Sequence, residues 1–296
     1  MYKTKLILFA LVSSLTLCAC QWQAPTSSSN DGRIALALNF AQWHEHPGEE
    51  GFRLARVRGL AAITRVEIYV LFEQDTLAHA TAPIASGSNE FAAALEVPIG
   101  KERRVIVEAW DDQGGEAPAV RAFRGVQAHI DIQPNVAREV AVTLYPLPVA
   151  GQSVVLIVGS SQGAPGTSGH LVPLSLISAD SLSGVQLDLN YDANLISPVA
   201  ARRMTAIALD TLASNVIFSE QGQALRLLLF SIAGKRLPAL FDPAVIMNVD
   251  FKVNDGAEAG AQSALALSNF AVLDHERKRL GVLAVEGGGF EVVGGR

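Results

Sequence analysis

Cysteine is nearly absent from this sequence: two residues in 296, Cys18 and Cys20, both close to the N-terminus. The rest of the chain therefore has no disulfide and no thiolate metal site, and its fold must rest on apolar burial alone. Aromatic residues are scarce at 6%, which counts against an extended stacking platform for sugars. An excess of basic charge is also missing. The net charge is −6, so there is no electrostatic reason to expect a nucleic-acid partner. The short cluster Lys101, Arg103 and Arg104 is broken by Glu102 and reads as a solvated strand face. Beyond Cys20 no strong helical periodicity appears.

The N-terminus is organised differently. Lys3 and Lys5 precede an apolar run, Leu6 to Leu17, of about a dozen residues, which suits an export signal and is short for a membrane-spanning helix. Leu17-Cys18-Ala19-Cys20 then places an aliphatic residue at −3, a small residue at −1 and a cysteine at +1. This resembles the lipobox of bacterial lipoproteins. The resemblance implies a signal peptide over 1–19, cleavage before Cys20 and lipid on that cysteine. Each buried methylene contributes roughly 0.8 kcal/mol, so two or three acyl chains anchor stably where one does not. Gln21, rather than Asp, follows the cysteine. By resemblance to lipoprotein sorting rules this implies a cell-envelope location at the outer membrane. Residues 20–32, rich in Ser, Thr, Asn and Pro, read as a flexible tether.

From there on, short alternating apolar runs are interrupted by Gly, Pro, Asn and Asp, the pattern of an all-β chain built from sandwiches. A first block spans 33–145. Ile34, Leu36, Leu38 and Phe40 alternate with small or polar residues, as do Val66, Ile68, Val70 and Phe72, and Val105, Val107 and Ala109. Turns at Pro98-Ile99-Gly100 and Asp111 to Gly115 separate strands. This block resembles small Ig-like or prealbumin-like β-sandwich modules. Residues 146–151, with Pro146, Pro148 and Gly151, read as a linker to a second block, 152–296.

The second block opens with Val154 to Val158, a Gly- and Ser-rich loop containing Pro165-Gly166, and the strand Leu171 to Leu176. Gly184 to Leu195 follows, with Val185, Leu187, Leu189 and Tyr191 on one face and Gln186, Asp188 and Asn190 on the other. Leu225 to Phe230, Val245 to Val253 and Ala264 to Val272 continue the series. In this order the strands resemble a cohesin module. The resemblance implies a nine-stranded jelly-roll sandwich related in fold to carbohydrate-binding modules, and a partner carrying a dockerin module, often a polysaccharide-degrading enzyme. It also implies docking through one sheet face. Here that face would hold Gln186, Asp188, Asn190 and Arg226, joined by Asn248, Asp250 and Lys252 if the strands are neighbours. The same side chains also fit the ordinary solvent face of a sandwich.

Motifs of other chemistries are weak. Gly159-Ser160-Ser161-Gln162-Gly163 matches G-x-S-x-G, but a nucleophile elbow needs a helix next, and Ala164-Pro165-Gly166 forbids one. Asp188-x-Asn190-x-Asp192 suggests a calcium loop only until Ala193 and Val199 fill the places that require Gly and Glu, and a strand running into an Asx-type turn explains it. His44 and His46 lack a third ligand, and Trp43 and Trp110 read as packing residues. No cofactor, metal site or catalytic residue is expected. The sequence therefore leads to a non-catalytic, membrane-anchored lipoprotein that binds a dockerin-bearing protein or a polysaccharide, possessing no nucleic-acid partner. A structural or assembly lipoprotein of the envelope is the alternative.

Overall fold

A computed structural model of the chain describes residues 31–46, 63–84, 90–111, 119–219, 222–285 and 288–294. The expected signal peptide, Cys20 and residues 21–30 of the expected tether lie outside them, while Asp31 and Gly32, expected in the tether, open the first strand. So do the side chains of Trp43, His44 and His46. The described residues form strands and turns, with no helix. None of them provides a helix long and apolar enough to cross a membrane.

The first eight strands are β1 (Asp31–Phe40), β2 (Trp43–His46), β3 (Arg65–Phe72), β4 (Asp75–Pro83), β5 (Glu90–Pro98), β6 (Gly100–Asp111), β7 (Val120–Ile132) and β8 (Ala137–Pro146). Seven of these pair in the order β4-β3-β6-β7-β8-β1-β5, with β1 and β8 parallel. Period-two alternation puts Ile34, Leu36, Leu38, Val66, Ile68, Val70, Val105 and Val107 into one core with Phe123 and Leu144. Phe40 meets Phe123 edge-on at 5.3 Å. Phe72 departs from its expected place: it is 40% exposed and lies under the Arg103 guanidinium, 4.9 Å from the ring centre. Trp110 packs beneath Arg65 at 5.0 Å, the packing role expected of it.

The remaining strands are β9 (Ser153–Val158), β10 (Ser161–Gly163), β11 (His170–Ser178), β12 (Leu182–Asn190), β13 (Ile196–Arg203), β14 (Thr211–Ser219), β15 (Gly222–Phe230), β16 (Leu240–Val253), β17 (Gln262–Ala264), β18 (Ala266–Asp274), β19 (Arg279–Val285) and β20 (Gly289–Val292). They make a jelly-roll sandwich. One layer runs β13-β16-β11-β9-β19 and the other β18-β12-β15-β14, with β19 joining the two. Between them lies a second core that includes Leu156, Leu174, Leu187, Leu189, Leu227, Val249 and Phe251. Strand β10 follows Gly159 and Ser160 where a nucleophile elbow would need a helix.

The two blocks are joined by more than residues 146–151. Strand β2 pairs antiparallel with β19, His46 opposite Val282 and Trp43 opposite Val285. Val155, Ile157, Ile177, Leu283 and Val285 point away from the jelly-roll core and form a small apolar cluster with Ala41 and Tyr145. Asp242 at the start of β16 accepts from Arg104 at 2.8 Å and pairs with Arg124 at 2.9 Å, both from the first sheet. The connection itself is fastened, with Leu147 N–H on Ala122 O at 2.8 Å and Gly151 N–H on Asp180 Oδ2 at 2.6 Å.

Candidate partner-docking face

Four strands, β18-β12-β15-β14, present one outward face. Val185, Leu187 and Leu189 of β12 point inward, so Gln186, Asp188 and Asn190 point outward, as their alternation requires. In register, Asp188 faces Arg226 of β15, and Arg226 faces Asn215 of β14. On the other side Asp188 faces Ser268 of β18.

Asp188 is the surprise on this face. Alternation placed it in solvent, yet its exposure is 0%. Arg226 lies over it and donates Nε–H to Oδ1 and Nη2–H to Oδ2, both at 2.8 Å. Asn269 adds a third donor, Nδ2–H to Oδ2 at 2.7 Å. Asn269 reaches this position because β18 bulges. Opposite Gln186 and Asp188 the partners jump from Ala271 to Ser268, and Asn269 takes φ 50°, a left-handed conformation that asparagine tolerates. Burial alone pushes the Asp188 carboxyl up. The Arg226 hydrogen bonds, the Asn269 amide and the Arg226 charge outweigh it, so the net shift is downward. The Arg226 guanidinium is raised in turn, chiefly by the hydrogen bonds to Asp188.

The carboxylate is thus consumed internally, and what the face offers is the guanidinium, with a side chain 43% exposed and locked by its bidentate pairing. Around it stand Gln186, Asn190, Asn215 and Leu228. Asn190 is fixed by its amide, which donates to Ser268 Oγ at 2.8 Å. At the end of β12 the Asp192 carboxylate accepts from Asn194 N–H at 2.9 Å, the Asx turn expected there.

Asn248, Asp250 and Lys252 do not join this face. They lie on β16, which pairs with β11 and β13 in the other layer. Val249 and Phe251 point into the shared core, so these three point away from it on the opposite side of the sandwich. There Asp250 is buried and accepts from Gly169 N–H at 3.0 Å, Lys252 pairs with Asp255 at 3.3 Å, and the Asn248 amide donates to Met204 Sδ at 3.2 Å. The expected seven-residue set therefore divides into four and three. The alternation of β12 and of β16 is the same in sequence, and only strand pairing separates them. The residues sequence reasoning missed are Asn269, Ser268, Leu228 and Asn215. The Ser268-Asn269 pair inside an apolar run was the available signal of a bulge.

Among the described residues no group of three or more His, Cys, Asp and Glu side chains is placed to hold a metal.

Residues 154–289 match the cohesin domain family. Solved structures similar to the chain include a cohesin of Clostridium acetobutylicum (24% identity, TM-score 0.40, covering 49% of this chain and 94% of that one). A Clostridium thermocellum cohesin–dockerin complex has 18% identity and TM-score 0.41, covering 48% of this chain and 100% of that one. A non-cellulosomal cohesin of Archaeoglobus fulgidus has 16% identity and TM-score 0.37, covering 48% and 91%. Comparison with curated proteins found no sequence relative.

Proposed function

We propose that this chain is a lipid-anchored adaptor of the cell envelope. Acyl chains on Cys20 hold it to the outer membrane, and its cohesin domain docks a dockerin-type module of a second protein, such as a polysaccharide-degrading enzyme. The docking surface is the outward face of β18-β12-β15-β14, and Arg226 is its anchor.

The observation that carries this reading is the bidentate seat of Arg226 on buried Asp188. A guanidinium held in one orientation loses little freedom on binding, and arginine is enriched among residues that dominate protein interfaces. The neighbouring amides supply hydrogen bonds of defined spacing, and Leu228 supplies apolar contact. This arrangement suits a protein surface better than a sugar chain, which is recognised through aromatic stacking. Among the described side chains of this face the one aromatic is Phe230, and it is half-buried.

Titration calorimetry of the full chain against calcium-loaded dockerin modules and against soluble polysaccharides tests the reading. Saturable binding of a dockerin with one-to-one stoichiometry is the expected result. Binding of polysaccharide alone would overturn it.

A further inference from the structure

We infer that β14 is a self-pairing edge through which two copies of this chain associate. An edge strand leaves a row of N–H and C=O groups unpaired, and proteins guard such rows with charge, proline, bulges or brevity. The other described edges are guarded. Strand β13 carries Pro198, Arg202 and Arg203 and slips register at Pro198. Strand β4 carries Asp75 and Pro83 and slips at Val70 of its partner. Strand β5 carries Glu96 and Pro98. Strands β2, β10 and β17 have only three or four residues each, too few to template a partner.

Strand β14 has none of these guards. Its nine residues, Thr-Leu-Ala-Ser-Asn-Val-Ile-Phe-Ser, hold no charge and no proline, and they pair with β15 without a break in register. Among the described residues no backbone hydrogen bond ties β14 to any strand but β15. Ala213, Ser214, Asn215 and Val216 are all exposed, where a strand with one covered face would alternate. Phe218 is 89% exposed.

The occupant that fits is a second copy of the same strand. Antiparallel pairing about Asn215 sets Leu212 against Phe218, Ala213 against Ile217, Ser214 against Val216 and Asn215 against itself. Every opposed pair is apolar or small and uncharged, so nothing repels. The two-fold axis of such a pair is perpendicular to the sheet, so both outward faces point to the same side. Arg226 faces Asn215 in each copy. The two guanidinium-bearing positions would therefore stand three strand spacings apart, about 14 Å. The inferred pairing does not depend on what binds at the docking face.

The test uses the full chain with Cys18→Ala and Cys20→Ala, which leave it free of cysteine. Sedimentation equilibrium across the micromolar range should show a monomer–dimer equilibrium. Asn215→Lys places like charges across the axis and should weaken it roughly tenfold or more, and Asn215→Asp should do the same with the opposite sign of charge. Circular dichroism checks that both variants fold. In the same background Asn215→Cys should form a symmetric disulfide, since opposed Cα atoms lie about 4.5–5.5 Å apart. Val199→Cys, exposed on the guarded β13 edge, should not. A chain monomeric throughout, or a dimer indifferent to both charged variants and uncrosslinked by Asn215→Cys, would overturn the inference.

Discussion

Arg226 and Asp188 stand directly opposite each other on β15 and β12 and share two hydrogen bonds of 2.8 Å, the carboxylate fully buried and the guanidinium part exposed. The pair converts a residue that alternation assigns to solvent into the foundation of a surface. Its energetics are asymmetric. Arg226→Ala leaves a buried carboxylate with Asn269 as its remaining side-chain donor, and should cost about 2–3 kcal/mol by urea unfolding. Replacing both partners with apolar residues, Asp188→Val with Arg226→Leu, should cost clearly less than Arg226→Ala alone. Equal losses would mean that the pair is not coupled.

The same pair sets an acid dependence. Asp188 has a folded-state pKa below its ordinary 3.8. A depressed carboxylate contributes stability that is fully present above the unfolded pKa and is lost as pH falls through the folded one. The stability gap between wild type and Asp188→Asn should be constant above about pH 5 and shrink as pH falls below it. A gap unchanged at strongly acid pH would show that Asp188 is not the group responsible.

Asp242 links the blocks through Arg104 and Arg124. Both pairs are partly exposed, so Asp242→Ala should cost only about 1 kcal/mol. The paired β2 and β19 and the Tyr145 cluster should nevertheless keep both blocks in one calorimetric transition. Two resolved transitions in the wild type would show that the blocks are independent.

Much of the architecture was legible because period-two alternation is a strong signal. Val185, Leu187 and Leu189 are buried as their spacing requires, and so are Ile34, Leu36 and Leu38. Pairing was not legible. Nothing in the alternation of Asn248, Asp250 and Lys252 says that β16 neighbours β11 and β13 rather than β12, because register and layer are decided by long-range closure. Nor could local sequence reveal that Arg226, from a strand far along the chain, would seal Asp188 from water. Strands β13 and β14 escaped notice for a related reason: with few buried positions their patterns are weak.

The proposed lipid anchor has its own check. Cys20→Ala should move the chain from the membrane fraction to the soluble fraction and abolish incorporation of labelled palmitate. Retention of label by that variant would exclude Cys20 as the lipidated residue.

Docking through the β15 face rather than the β16 face is open to direct measurement. The direct measurement is dockerin affinity by calorimetry for two full-length variants, Leu228→Glu on the β15 face and Lys252→Glu on the β16 face. Leu228→Glu is expected to weaken binding roughly a hundredfold, by placing a charge within the contact, while Lys252→Glu leaves it unchanged. Loss of binding in Lys252→Glu with full affinity in Leu228→Glu would contradict docking through the β15 face.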